Sequence, residues 1–166
     1  MIVIADTSPL HYFILLEHAE VPRKLYGRVI IPEAVLSELK AKNAPSAVKQ
    51  WIKSPPEWME VWQITLPADL ALTKLDAGER EAIALAEALR ADALLVDEKA
   101  GRREAERRKI RVIGTVRILD DAADAGLVEL AGCLRKLQEF GFYLGDKLVQ
   151  FLMARHSERE RRRLRD

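Results

Sequence analysis

The chain has 166 residues, a length that suits one domain. It is 49% hydrophobic and 32% charged, enough apolar material for a core and too much for a disordered chain. With 27 Lys and Arg against 26 Asp and Glu the net charge is +1, so no global field marks out a nucleic-acid partner, and any basic surface must come from local clustering.

Cys133 is alone, which excludes an internal disulfide and a zinc knuckle and suits a reducing cytoplasm; it is expected to act as a small buried apolar residue. No run approaches the ~20 apolar residues of a membrane span, so no membrane contact is expected. The opening Met1 to Ala5 lacks a basic leader and runs straight into Asp6, which makes it a strand and not a signal peptide.

In chain order, Ile2 to Ala5 is a short β-branched run stopped by Asp-Thr-Ser-Pro. A helical stretch from Leu10 to Tyr26 follows, with Pro22 interrupting it. Arg28 to Ile31 is a second strand, and Pro32 suits the first turn of a helix running to Lys40. A helix over Ala47 to Lys53 ends at Ser54-Pro55-Pro56, and Trp58 to Leu66 reads as a third strand. Leu75-Asp76-Ala77-Gly78 leads into a helix from Glu79 to Arg90. Ala93 to Val96 is a strand, Lys99 to Lys109 a helix and Arg111 to Ile113 a fifth strand. After Gly114 the pattern is helical throughout: Val116 to Ala125, Leu130 to Phe140 and Gly145 to His156. Alternating short apolar strands and helices predict a parallel sheet covered on both faces, with its site at the carboxyl ends of the strands.

That rule singles out Asp6 after the first strand and the Asp97-Glu98 pair after the fourth. One such residue alone is more often a cap or turn former; two strand ends in one sheet weaken that explanation. At 3.6 residues per turn, Glu79 lies near the stripe Ala82, Ile83, Ala86 and Leu89, at the helix start where the stripe meets the sheet. A carboxylate there is costly unless paired or bound to metal, although a helix N-terminus also favours it. In the helix after Pro32, Glu33 and Glu38 flank the stripe Val35, Leu36 and Leu39 at similar angles, and periodicity does not choose between them.

The ordered set Ile4-Ala5-Asp6-Thr7-Ser8, Pro32-x-x-Val35-x-x-Glu38-Leu39, Glu79 followed by Ala82-Ile83-Ala84-Leu85-Ala86, and Leu94-Leu95-Val96-Asp97-Glu98 resembles a PIN domain. Those are metal-dependent ribonucleases that include the VapC-type toxins of prokaryotic toxin–antitoxin pairs. Gly78-Glu79, Asp97-Glu98-x-x-Gly101-Arg102 and Gly114-Thr115 look more like a poorly characterised VapC-like branch. The likeness spans about residues 1 to 130, on motifs that are individually short. It implies a three-layer α/β/α fold with a central five-stranded parallel sheet and extra C-terminal helices. The expected domain is 1–154, its part from 115 helical, with 155–166 a charged, flexible tail.

The resemblance also places Glu38, not Glu33, in the second acidic position. Glu79 stands where most relatives carry Asp, and the fourth acid falls on Asp97 or Glu98. Catalytic candidates are therefore Asp6, Glu38, Glu79, Asp97 and Glu98. Asp6, Asp97 and Glu79 are the expected metal ligands, for Mg²⁺ or Mn²⁺, hard ions that take oxygen donors. Thr7, Ser8, Arg102 and Thr115 are the expected substrate contacts, with Thr7 or Ser8 able to bond a ligand carboxylate instead. RNA is the implied partner, with an antitoxin protein and a homodimer beside it.

Other features have plainer readings. Arg102, Arg103, Arg107, Arg108, Lys109 and Arg111, interleaved with Glu104 and Glu106, suit a solvated ion-paired helix face more than an RNA track, with Arg102 the exception. His11, His18 and His156 lack metal-ligand spacing. Trp51, Trp58 and Trp62 suit a core or interface. Leu144, Leu148, Val149, Leu152 and Met153 form an apolar face beyond what the sheet needs, suited to a dimer contact or an antitoxin groove. A PIN-like module that binds without cutting is the main alternative. A receiver domain fits poorly, because the first strand ends in a single acid, and no GxxxxGK[ST] loop points to an ATPase.

Overall fold

A computed structural model describes residues 1–165. Strands β1 (Ile2–Ala5), β2 (Arg28–Pro32), β3 (Met59–Trp62), β4 (Ala93–Leu95) and β5 (Val112–Ile113) form one sheet in the order β3-β2-β1-β4-β5. Every neighbouring pair is parallel, and Ile4 lies between Ile30 and Leu94. Those three residues join Ala82, Ile83 and Ala86 of helix α5 (Ala77–Ala88) in one buried cluster. Val3, Ala5, Val29, Ile31, Ala93 and Leu95 alternate with them and are buried as fully on the other face. Burial on both faces is why the strands read as unbroken apolar runs. A five-stranded parallel sheet with flanking helices is the α/β/α architecture expected.

Helices α3 (Glu33–Leu39), α4 (Ser46–Ile52) and α6 (Lys99–Arg107) fall close to their expected places. The stretch from Leu10 to Tyr26 is instead two helices, α1 (Thr7–Leu15) and α2 (Val21–Tyr26). Glu17, at φ +61°, takes the left-handed conformation that stops α1. Pro22 sits in the first turn of α2, so it opens a helix and does not interrupt one. The third strand stops at Trp62, short of Leu66, because its partner residue Pro32 is the last of β2 and nothing pairs with the chain beyond it. A 3₁₀ turn at Leu72–Lys74 then delivers the chain to α5.

The chain divides into two compact units, Met1–Thr115 and the segment from Val116 onward. Helices α7 (Thr115–Asp124), α8 (Leu130–Glu139) and α9 (Asp146–Arg163) follow the sheet. Leu134, Leu137, Leu144 and Leu152 are buried here, as is Cys133. Helix α9 runs on past His156, where the sequence suggested a flexible tail. Arg155, Arg159 and Arg163 repeat every fourth residue and form a stripe that ion-pairs with Asp120 and Asp124 of α7. The expected tail includes Asp166, which lies outside the described residues. Among those described, no helix is long and apolar enough to cross a membrane.

Candidate active site

Strand β1 lies between β2 and β4, so the strand order reverses there and a crevice opens at the carboxyl ends. The Asp6 N–H donates to the Leu95 carbonyl at 2.9 Å, which fixes Asp6 beside the end of β4. Asp6 occupies the N-cap position of α1, yet its side chain makes no capping hydrogen bond. It is only 4% exposed, and its Oδ1 is buried without a hydrogen-bond partner. Burial above all, with the Asp76, Glu79 and Glu38 carboxylates beside it, lifts its pKa to about 7, against a pull from the Thr7 backbone N–H.

Glu38 comes from α3. Its Oε2 accepts from the Thr7 hydroxyl and its Oε1 from the Gly78 N–H at 3.0 Å. Glu33 is exposed and accepts from the Gln63 amide, whereas Glu38 is the one whose carboxylate lies with Asp6. Asp76 completes the cluster: ligand oxygens of Asp6, Glu38 and Asp76 all lie within 4.8 Å of one another. Asp76 is the N-cap of α5 and accepts from the Glu79 N–H at 2.8 Å. Sequence reasoning had treated Asp76 only as part of the lead into that helix. The signal available was the Asp76-x-x-Glu79 spacing of a capping box.

Glu79 is as buried as Asp6, with its carboxyl against Gly101 of α6. Burial first, and then Asp76, Glu98 and Glu38, raise its pKa, opposed by a hydrogen bond from the Asp76 backbone N–H. Asp97 accepts three hydrogen bonds. Its Oδ1 accepts from the Thr115 N–H at 2.8 Å, while its Oδ2 accepts from the hydroxyls of Ser8 at 2.8 Å and Thr115 at 2.7 Å. Glu98 is exposed and lines the cleft.

These contacts change the parts given to the hydroxyl residues. Thr115 was expected to touch substrate; it is fully buried and both its donors go to Asp97, so it orients that carboxylate. Thr7 and Ser8 likewise hold Glu38 and Asp97. Of the expected metal ligands only Asp6 belongs to the tightest oxygen cluster, where Glu38 and Asp76 join it in place of Asp97 and Glu79. Arg102 projects beside Asp97: a Cβ added at Gly114 would lie 2.8 Å from its guanidinium and 3.2 Å from the Asp97 Oδ1. Two other members of the basic run serve the scaffold. Arg107 pairs with Glu104, and Arg108 with Asp69, Glu87 and Glu104.

Asp6, Thr7, Ser8, His11, Tyr12, Glu38, Asp76 and Glu98 line an open cleft of about 280 Å³. A larger hollow of about 820 Å³ opens where the strands begin, among Met1, Gly27, Arg28, Trp58 and Asp92. There Arg28 pairs with Glu60 and Asp92 accepts from the Ile2 N–H, while the clustered acids lie in the smaller cleft. Trp51 and Trp58 pack on each other with centroids 6.3 Å apart.

A family model described as a PIN domain matches residues 2–158. The chain belongs to the PIN-domain family. The match runs well past the span of the acidic motifs, into α9. No curated protein matches the chain. A PIN domain is a nuclease-type fold, and the clustered acids fit metal binding. The donor set supports that fit: all its ligand atoms are carboxylate oxygens, and the Asp6 carboxylate keeps one buried oxygen, Oδ1, without a hydrogen-bond partner.

Proposed function

We propose that this PIN domain is a metal-dependent endoribonuclease that cuts RNA phosphodiester bonds, and that it serves as the toxin of a VapC-like toxin–antitoxin pair. The observation that carries the nuclease reading is the Asp6 carboxylate, with one oxygen orphaned, clustered with Glu38 and Asp76, an arrangement that neither helix capping nor ion pairing explains. Asp6, Glu38 and Asp76 would hold Mg²⁺ or Mn²⁺, with Glu79 and Asp97 behind them. When bound, such an ion supplies a water acidic enough to attack near neutral pH and offsets charge on the phosphate.

The chain's own residues do the rest. Thr7 and Gly78 fix Glu38, while Ser8 and Thr115 fix Asp97, so the carboxylates are oriented before substrate arrives. Glu98 at the cleft wall completes the acidic set. Arg102, beside Asp97, would take a substrate phosphate.

The toxin role draws on the family likeness, and the antitoxin or second copy of the chain would dock on the helical unit. Tyr143, Leu148 and Phe151 support that docking by standing exposed there. The deciding experiment is cleavage of RNA with Mg²⁺ or Mn²⁺ by the wild-type chain and by Asp6→Asn. Loss of cutting in the variant is expected; equal cutting would leave a PIN module that binds without cleaving. Growth arrest on expression, relieved by Asp6→Asn, tests the toxin role, and sedimentation tests the dimer.

A further inference from the structure

Helix α1 buries Pro9, Leu10, Phe13 and Ile14 and turns Thr7, Ser8, His11 and Tyr12 toward the cleft. Thr7 and His11 are four residues apart, as are Ser8 and Tyr12, so each ring lies one turn, about 5.4 Å, beyond a hydroxyl. The hydroxyls of the first turn hold Glu38 and Asp97. The rings of the second turn meet edge to face, with centroids 5.0 Å apart and planes at 75°.

Both rings are half-buried, and both line a cleft whose other walls are carboxylates and hydroxyls. Within the cleft the two rings are the aromatic wall, packed on each other beside the acids. An aromatic surface one helical turn from a phosphate-handling acid cluster suits a nucleobase attached to that phosphate. Stacking on such a surface is tolerant of base identity, because every base has a π-face.

We infer that His11 and Tyr12 form a base-stacking subsite that holds the nucleobase next to the scissile phosphodiester. The inference rests on the nuclease reading and adds a subsite to it.

The test uses the full chain, without divalent metal, and a short fluorescein-labelled single-stranded oligoribonucleotide read by fluorescence anisotropy. The same oligonucleotide is then made with one abasic site moved along its length. Binding of the wild-type chain should fall about 5- to 100-fold when the abasic site reaches one particular position. His11→Ala and Tyr12→Ala should lose a similar factor on the intact strand and become indifferent to the abasic position. His11→Phe and Tyr12→Phe, which keep a ring, should retain affinity, and this separates stacking from a merely structural role. Thermal melting identifies any alanine variant that fails to fold, in which case the phenylalanine variants and the abasic scan carry the result. Intact and abasic strands bound equally would overturn the subsite while leaving the nuclease reading in place. No binding of any oligonucleotide would also overturn the subsite, while cleavage with Mg²⁺ or Mn²⁺ decides the nuclease reading separately.

Discussion

The Gly78 N–H donates to Glu38 Oε1 at 3.0 Å, and a Cβ placed on Gly78 would fall 2.6 Å from the other oxygen of the same carboxylate. The first turn of α5 therefore touches α3 through a glycine because nothing larger leaves room for the acid. Glu38 is flexible at its far end, so Gly78→Ala should still fold, with a melting temperature unchanged or slightly raised by the better helix former. The displaced Glu38 should weaken Mn²⁺ binding about 10- to 100-fold, read by isothermal titration calorimetry. Unchanged affinity would mean that Glu38 does not help to hold the ion.

Asp6 gives the metal-free protein a pH-dependent stability of known sign. Its native pKa of about 7 lies above its ordinary value of 3.8, so between the two the folded state keeps a proton that the unfolded chain has released. Its contribution is complete at the acid end of that window and is lost as the pH rises through about 7. The melting temperature of the wild type relative to Asp6→Asn should fall from about pH 5 to about pH 8. Mg²⁺ or Mn²⁺ should restore it at the alkaline end, because the ion takes the ionised carboxylate. Parallel curves for the two proteins would contradict this account.

The two aspartates at the strand ends should answer the same substitution in opposite ways. Asp6→Asn removes a buried charge whose Oδ1 has no hydrogen-bond partner, so at neutral pH the metal-free variant should melt higher than the wild type. Asp97→Asn puts an amide N–H₂ among an N–H and two hydroxyls that the carboxylate now accepts from, so the variant should lose roughly 1–3 kcal/mol. Differential scanning calorimetry of both variants without metal decides it; a lower melting point for Asp6→Asn would show that its carboxylate has a partner after all.

Arg80 is a positioning residue for Asp76. Its Nε and an Nη donate to the carbonyls of Leu72 and Leu75 at 3.2 and 2.9 Å, holding the turn that carries Asp76 into the cluster. Arg80→Ala should lower Mn²⁺ affinity about 10-fold by loosening that turn, and Arg80→Lys should recover part of the loss. An affinity equal to wild type, with a lower melting temperature alone, would assign Arg80 to stability only.

The parallel α/β fold was legible because its signals are local: apolar runs of β-branched residues, each stopped by polar turn formers. Asp6 and Asp97 were legible for the same reason, since the carboxyl end of a parallel strand is a position in the sequence as much as in space. Pro22 misled, because a proline that breaks a helix and one that starts a helix look alike until the left-handed Glu17 is seen upstream. Trp62 ends its strand only because β2 ends beside it, and a single sequence does not record where a neighbour stops.

Asp6 thus shows both sides of the division. The sequence by itself determined that an acid stands at the end of the first strand, with acids at the fourth strand and on the helix after Gly78. Only the tertiary structure decided that Asp76 and Glu38 approach Asp6 while Thr115 and Ser8 occupy the oxygens of Asp97. The physical reason is that a carboxylate's role depends on what fills its lone pairs and how much water reaches it, and both are set by residues distant in the chain.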